Sequence, residues 1–225
     1  ILRTESFSMK DVSMLISENP SICAKVLQVA NSAFIVSSRN VTDLDDAVTR
    51  LGVDAISNVV AIAEIYSNIE GVPSAFVQET LQRGLKIAKL ASSIAKSSDR
   101  NITMLADIMH NIGELILWQI NPKGMEVYFE KRKHGQDNTE LERQIFHVDN
   151  IQITSYLLHL WNFPYTVIEC IILQNKIDKL IHYEFGGATA IYIAKMIINN
   201  LEVDEAIITH FGISEQLVQW RNIRE

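Results

Sequence analysis

Leu105-Ala106-Asp107-Ile108-Met109-His110-Asn111-Ile112-Gly113 is the stretch on which the reading of this chain turns. Its apolar residues recur at helical spacing, and Asp107 and His110, three apart, share one helix face. So placed, both could reach a metal if other helices supplied at least two more ligands, for which His147 and Asp149 are the nearby candidates. The plainer alternative is a buried His110 that donates to a carbonyl or to Asp107.

Outward from this segment the helical period continues almost everywhere, and no run of strict alternation demands a sheet. The chain reads as all-α. Ser8 caps a helix carrying Val12, Leu15 and Ile16, and Asn19-Pro20 supplies a cap and a first-turn proline for the next. Asp43 caps a short helix that Gly52 stops, and another spans about 54–66. Gly71-Val72-Pro73-Ser74 marks a boundary between a segment 1–72 and a larger one, 73–225. Beyond it a long helix holds Leu81, Leu85, Ala88 and Ala91, and the next is expected over about 104–118, ended by Asn121-Pro122. Thr139 with Glu142 reads as a capping box, followed by helices near 150–161, 164–175, 187–199 and 204–211 and a last one with Trp220.

The 225 residues are 48% hydrophobic and 21% charged with a net charge of −7, which excludes disordered, collagenous and coiled-coil classes. The acidic balance argues against a nucleic-acid binder, and the longest uncharged stretch, 150–168, is interrupted by polar residues and proline, so no membrane span is expected. Cys23 and Cys170 lie far apart in apolar runs and read as reduced core residues of a cytoplasmic protein. A chain opening on Ile1 without a signal peptide is read as a fragment of a longer one. Phosphate-loop, dinucleotide, nucleophile-elbow and HExxH signatures are absent. The basic tract Lys131-Arg132-Lys133-His134 reads as a solvated helix end, and Trp118, Trp161 and Trp220 as packing residues.

Ile108-Met109-His110-Asn111-Ile112-Gly113 resembles the metal-site helix of the HD phosphohydrolase superfamily, roughly LLHDIG, in which the His-Asp pair binds the metal. Here the histidine is kept and asparagine stands for the aspartate. By the family's spacing Arg83 takes the place of the first metal histidine, and a guanidinium has no lone pair to give a cation. The whole chain is more similar to one branch, the HDOD (HD-related output) domain. Its N-terminal motifs correspond to Asn19-Pro20, to Ala24 through Leu27 and on to Asn31-Ser32-Ala33, and to Ala47 through Leu51-Gly52. Its C-terminal motifs correspond to Glu142 and to Leu157-Leu158-His159-Leu160-Trp161-Asn162-Phe163-Pro164. His147 stands at an expected glycine, Asn150 at an expected histidine and Gln174-Asn175 at an expected His-His pair, each change removing capacity for a metal.

The resemblance implies a helical domain with an N-terminal subdomain, 1–72, packed on an HD-like core, 73–225. It implies a bacterial signalling module without catalytic or metal residues and without a cofactor, acting through signalling proteins, an upstream domain of its own chain or a small anionic ligand. Arg83, His110, Asn111, Asn150, Gln174 and Asn175 are then expected to line the former metal cleft, with Arg83 free to meet an anion or paired inside the fold with Asp107 or Glu114. Asn31, Ser32, Gly52, Gly113, Glu142, Trp161 and Pro164 are expected to be structural. The alternative is an HD-type phosphohydrolase with a metal site rearranged around Asp107, His110, His147 and Asp149.

Overall fold

Asp43, Asn121, Asp149 and Asp204 each close a helix start by accepting one of its free N–H groups. In the computed structural model, which describes residues 9–17, 22, 24, 26, 27, 43–133 and 138–223, every regular element among the described residues is helical. The chain divides into two compact units, Ile1–Ile69 and Glu70–Glu225.

The first unit contains α1 (Met9–Ser17), α2 (Leu44–Leu51) and α3 (Val53–Asn68). Asp43 caps α2 by accepting the Asp46 N–H at 2.8 Å. Gly52 joins α2 to α3 at a φ of 77°, a value that costs glycine nothing sterically, while its N–H closes on the Val48 carbonyl. Ala47, Val48, Ile56, Val59 and Ile62 are fully buried. The expected motif residues Asn31 and Ser32, the cap at Asn19-Pro20 and Cys23 lie outside the described residues.

The second unit is built on α4 (Ser74–Ile94), which packs against α5 (Arg100–Met109) after a single 3₁₀ turn, Ser97–Asp99. Then follow α6 (Ile112–Ile120), α7 (Pro122–Lys131), α8 (Thr139–Phe146), α9 (Asn150–Leu160), α10 (Tyr165–Leu173), α11 (Ile177–Leu180), α12 (Gly187–Ile198), α13 (Glu205–Phe211) and α14 (Ser214–Ile223). Helices α5 and α12 both lie on α4, α10 covers α5, and α9 joins α6 to α10. Leu81, Ile87, Ile108, Met109, Ile112, Leu115, Leu158 and Ile171 form the fully buried centre. Trp118 is half-buried against Phe76 and Phe129, with ring centroids 5.0 and 5.4 Å away.

Two local expectations are corrected. The single helix over 104–118 is instead α5 and α6, broken at His110-Asn111, because Gly113 brings α6 directly onto the start of α9. The Gly113 N–H donates to Thr154 Oγ1 at 3.0 Å, and a Cβ on Gly113 would stand 2.8 Å from the Asn150 Cα. The capping box at Thr139 and Glu142 does not form either. Asn138 precedes α8 without a side-chain cap, while Glu142 turns inward to accept the Asn150 N–H at 2.6 Å. The box that does form is Asp149 with Gln152, of the same spacing, at the start of α9. No helix among the described residues is long and apolar enough to cross a membrane.

Candidate functional site

A cavity of about 500 Å³ opens in the second unit where α4, α6, α7, α8 and α12 converge. Of the residues expected to meet there, Arg83, His110, Asn111, Asn150 and Asn175 line it. Gln174, itself buried, reaches it through Lys195, whose ammonium donates to Gln174 Oε1 at 2.8 Å and to Asn175 Oδ1 at 2.7 Å. Glu142, expected to be only structural, also contributes to the wall. Gly113, Trp161 and Pro164 lie at the α6 start, the α9 end and the α10 start.

His110 ends α5 and its Nδ1 bonds the backbone carbonyl of Asp107. Burial holds its imidazole well below the usual histidine range; the Lys195 charge adds to this and the Asp107 carbonyl opposes it. The ring is therefore neutral. The Asp107 carboxyl takes no part in that bond. It is fully buried, neither oxygen has a hydrogen-bond partner among the described residues, and burial raises it well above the carboxylate range against the pull of Lys195. A neutral acid is the form such a site tolerates.

Arg83 has its partner inside the fold: Nη2 meets Glu114 Oε2 at 2.9 Å, and that carboxylate is the main reason the guanidinium is held above its ordinary value. Beyond Glu114, the wall holds Glu142, only 2% exposed. Burial raises Glu142 to about 7; Glu114 and Asp149 add to the rise, while bonds from the Asn150 N–H and the Tyr128 hydroxyl oppose it. Tyr128 is pushed upward in turn, chiefly by burial and then by the two glutamates.

This sets a pH dependence. The neutral form of Glu142 is favoured in the fold over the unfolded chain, so its contribution is complete below the usual 4.5 and is lost as pH rises through about 7. The difference amounts to about 2 kcal/mol after allowing for relaxation of the interior. Glu142→Gln should match the parent in urea unfolding at pH 4 and exceed it by that amount at pH 8. Equal stability of parent and variant at pH 8 would refute the assignment.

His147 and Asp149 do not join His110 as cavity-lining residues. His147 ends α8 in the left-handed region at a φ of 61° and is exposed, while Asp149 is held by Arg143 Nη2 at 2.6 Å. Among the described residues no three His, Cys, Asp or Glu side chains converge to hold a metal ion. Sequence reasoning missed Arg132 and Lys195. Lys195 carried a usable signal, the lone charge within Thr189–Ile198, whereas Arg132 looked like any helix-end cation.

The sequence matches the HDOD domain family over residues 1–177. The chain belongs to that family. An uncharacterized protein of Treponema pallidum (strain Nichols) is 22% identical to this HDOD chain over 176 residues, 75% of the chain but only 34% of that protein. The chain thus spans about a third of the length of this relative. Three crystal structures share the fold. A "putative phosphohydrolase" from Shewanella amazonensis SB2B has a TM-score of 0.61 at 22% identity, covering 100% of this chain and 90% of that one. An HDOD domain protein with unknown function from Geobacter sulfurreducens has a TM-score of 0.62 at 14% identity, covering 99% and 87%. The MmoQ response regulator from Methylococcus capsulatus str. Bath has a TM-score of 0.52 at 18% identity, covering 97% and 91%. At these identities the likeness speaks for the HDOD fold alone.

Proposed function

We propose that this HDOD domain is a non-catalytic signalling module that passes an input to other proteins or to another domain of its own chain. The observation that carries the reading is the occupancy of the cleft by built-in cations. The Lys195 ammonium sits between Gln174 and Asn175, and Arg83 is locked to Glu114, at positions where the superfamily resemblance would put metal ligands. These residues do not fit a divalent cation. The cavity's buried carboxyls are already engaged, Glu114 by Arg83 and Glu142 by the Asn150 N–H; the neutral imidazole and amides beside them offer too few free anionic donors, and the Lys195 ammonium repels a second cation. The response-regulator name of one fold relative supports a signalling role, and the free, buried Cys170 accords with a cytoplasmic setting.

Metal analysis of the purified protein, with a nucleotide-hydrolysis screen in added Mn²⁺, tests the proposal. The expected result is substoichiometric metal and no turnover above that of His110→Ala. Tightly held stoichiometric metal, or turnover that His110→Ala abolishes, would establish the phosphohydrolase reading instead.

A further inference from the structure

The cavity differs in charge from the protein that encloses it. The chain as a whole carries −7, yet Arg83, Arg132, Lys133 and Lys195 face the cavity against Glu79, Glu114 and Glu142. Glu114 is already neutralised by Arg83. The remaining wall is positive, and a positive concavity inside an acidic protein concentrates small anions.

Arg132 is the group left to receive one. It follows α7, and its guanidinium carbon lies 4.2 Å from the Phe129 ring centroid. Among the described residues it has no ion pair, and its Nε is buried without a hydrogen-bond acceptor. Stacking on a ring face holds a guanidinium in place while its in-plane N–H groups stay directed outward, the arrangement that grips carboxylate or phosphate. A second group on the same wall is also unsatisfied. Asn150 is only 8% exposed, and its side-chain Oδ1 is buried with no donor. A buried acceptor left unpaired suits a ligand that brings an N–H.

We propose that the cavity is a receptor for a small organic anion, with Arg132 and Lys195 drawing the anionic head and Asn150 accepting from an N–H of the same molecule. This inference rests on the non-catalytic reading and names the chemistry of its ligand. The volume falls in the range of sites for small molecules rather than peptides. Binding should also be linked to protons. Glu142 on α8 is faced by Tyr128 of α7, Glu114 of α6, Asp149 and Asn150 at the α9 start, and Arg132 beyond Tyr128, so its ionisation places a new negative charge on the wall.

The test is titration of the full chain, by calorimetry and by amide chemical shifts, with inorganic phosphate, phenylphosphonate, 4-aminophenylphosphonate and aniline. The aminophosphonate should bind most tightly and aniline not at all. Arg132→Gln should weaken the phosphonates by roughly 10-fold or more, the usual effect of losing a charge-assisted hydrogen bond. Asn150→Leu should erase the preference for the amino compound while leaving phenylphosphonate affinity in place. Between pH 6 and pH 8 the parent's affinity should fall about 3-fold or more relative to that of Glu142→Gln, a ratio in which the second ionisation of the phosphonates themselves cancels. Shifts should concentrate at residues 110–114, 128–133 and 192–199. No saturation by either phosphonate at millimolar concentration, unchanged affinity in Arg132→Gln, or shifts confined to other surfaces would overturn the receptor while leaving the non-catalytic reading intact. Hydrolysis of phenyl phosphate in the same preparation would instead count against that underlying reading.

Discussion

Gly113→Ala should lower the unfolding free energy by about 4 kcal/mol, because its Cβ would meet backbone more closely than a Cβ at Gly84, Gly124 or Gly187. The added Cβ would stand 2.8 Å from the Asn150 Cα and 2.9 Å from its carbonyl carbon, and closer still to the carbonyl oxygen. These are backbone atoms at the first turn of α9, fixed by the Asp149–Gln152 capping box and by Glu142. A flexible side chain could swing aside, but a capped helix start has to move as a body. The movement would also draw Thr154 Oγ1 away from the Gly113 N–H. Gly186→Ala is the control, because a Cβ there meets nothing nearer than the Glu184 carbonyl at 3.7 Å. That variant should stay within about 0.5 kcal/mol of the parent. Urea unfolding of the three proteins decides the matter, and a Gly113→Ala midpoint equal to the parent's would show that α6 and α9 are less tightly apposed than the structure has them.

The same contact shows where the sequence could be read and where it could not. Caps and breakers act within a few residues, so Asp43, Gly52 and Asn121-Pro122 were visible from local chemistry and stand where expected. The break at His110-Asn111 was not visible, because every residue from 104 to 118 tolerates a helix and the interruption comes from docking on α9, some forty residues later. Thr139-x-x-Glu142 and Asp149-x-x-Gln152 have the same spacing, and nothing local decides between them. What decides is the Asn150 N–H, which draws Glu142 into the interior. The cavity was legible where a motif marked its residues, as at His110, Asn111 and Asn150. It was illegible at Arg132, whose role depends on the Phe129 ring beneath it and on helices far off in the chain.

Arg83→Met should destabilise the protein by about 3 kcal/mol at pH 8, and by markedly less at pH 5. The methionine keeps most of the aliphatic stem, so packing changes little and the loss is chiefly electrostatic. Glu114 is left only 6% exposed, without the guanidinium 2.9 Å away that now offsets its burial. Removing one partner of a buried pair commonly costs about 3–5 kcal/mol, and the lower end applies because the Arg83 side chain keeps 26% of its exposure. Glu142 deepens the effect, since Glu114 already pushes its proton affinity up. Two ionised carboxylates facing one cavity without Arg83 repel each other, and that repulsion fades as Glu142 takes up its proton. Stability of the variant should therefore fall more steeply than the parent's as pH rises from 5 to 8. Adding Glu114→Gln removes the stranded charge and should recover most of the loss at pH 8, so that the double variant lies closer to the parent than Arg83→Met alone. A double variant no more stable than Arg83→Met would mean that Arg83 acts through its contacts along α4 and not through the Glu114 carboxylate.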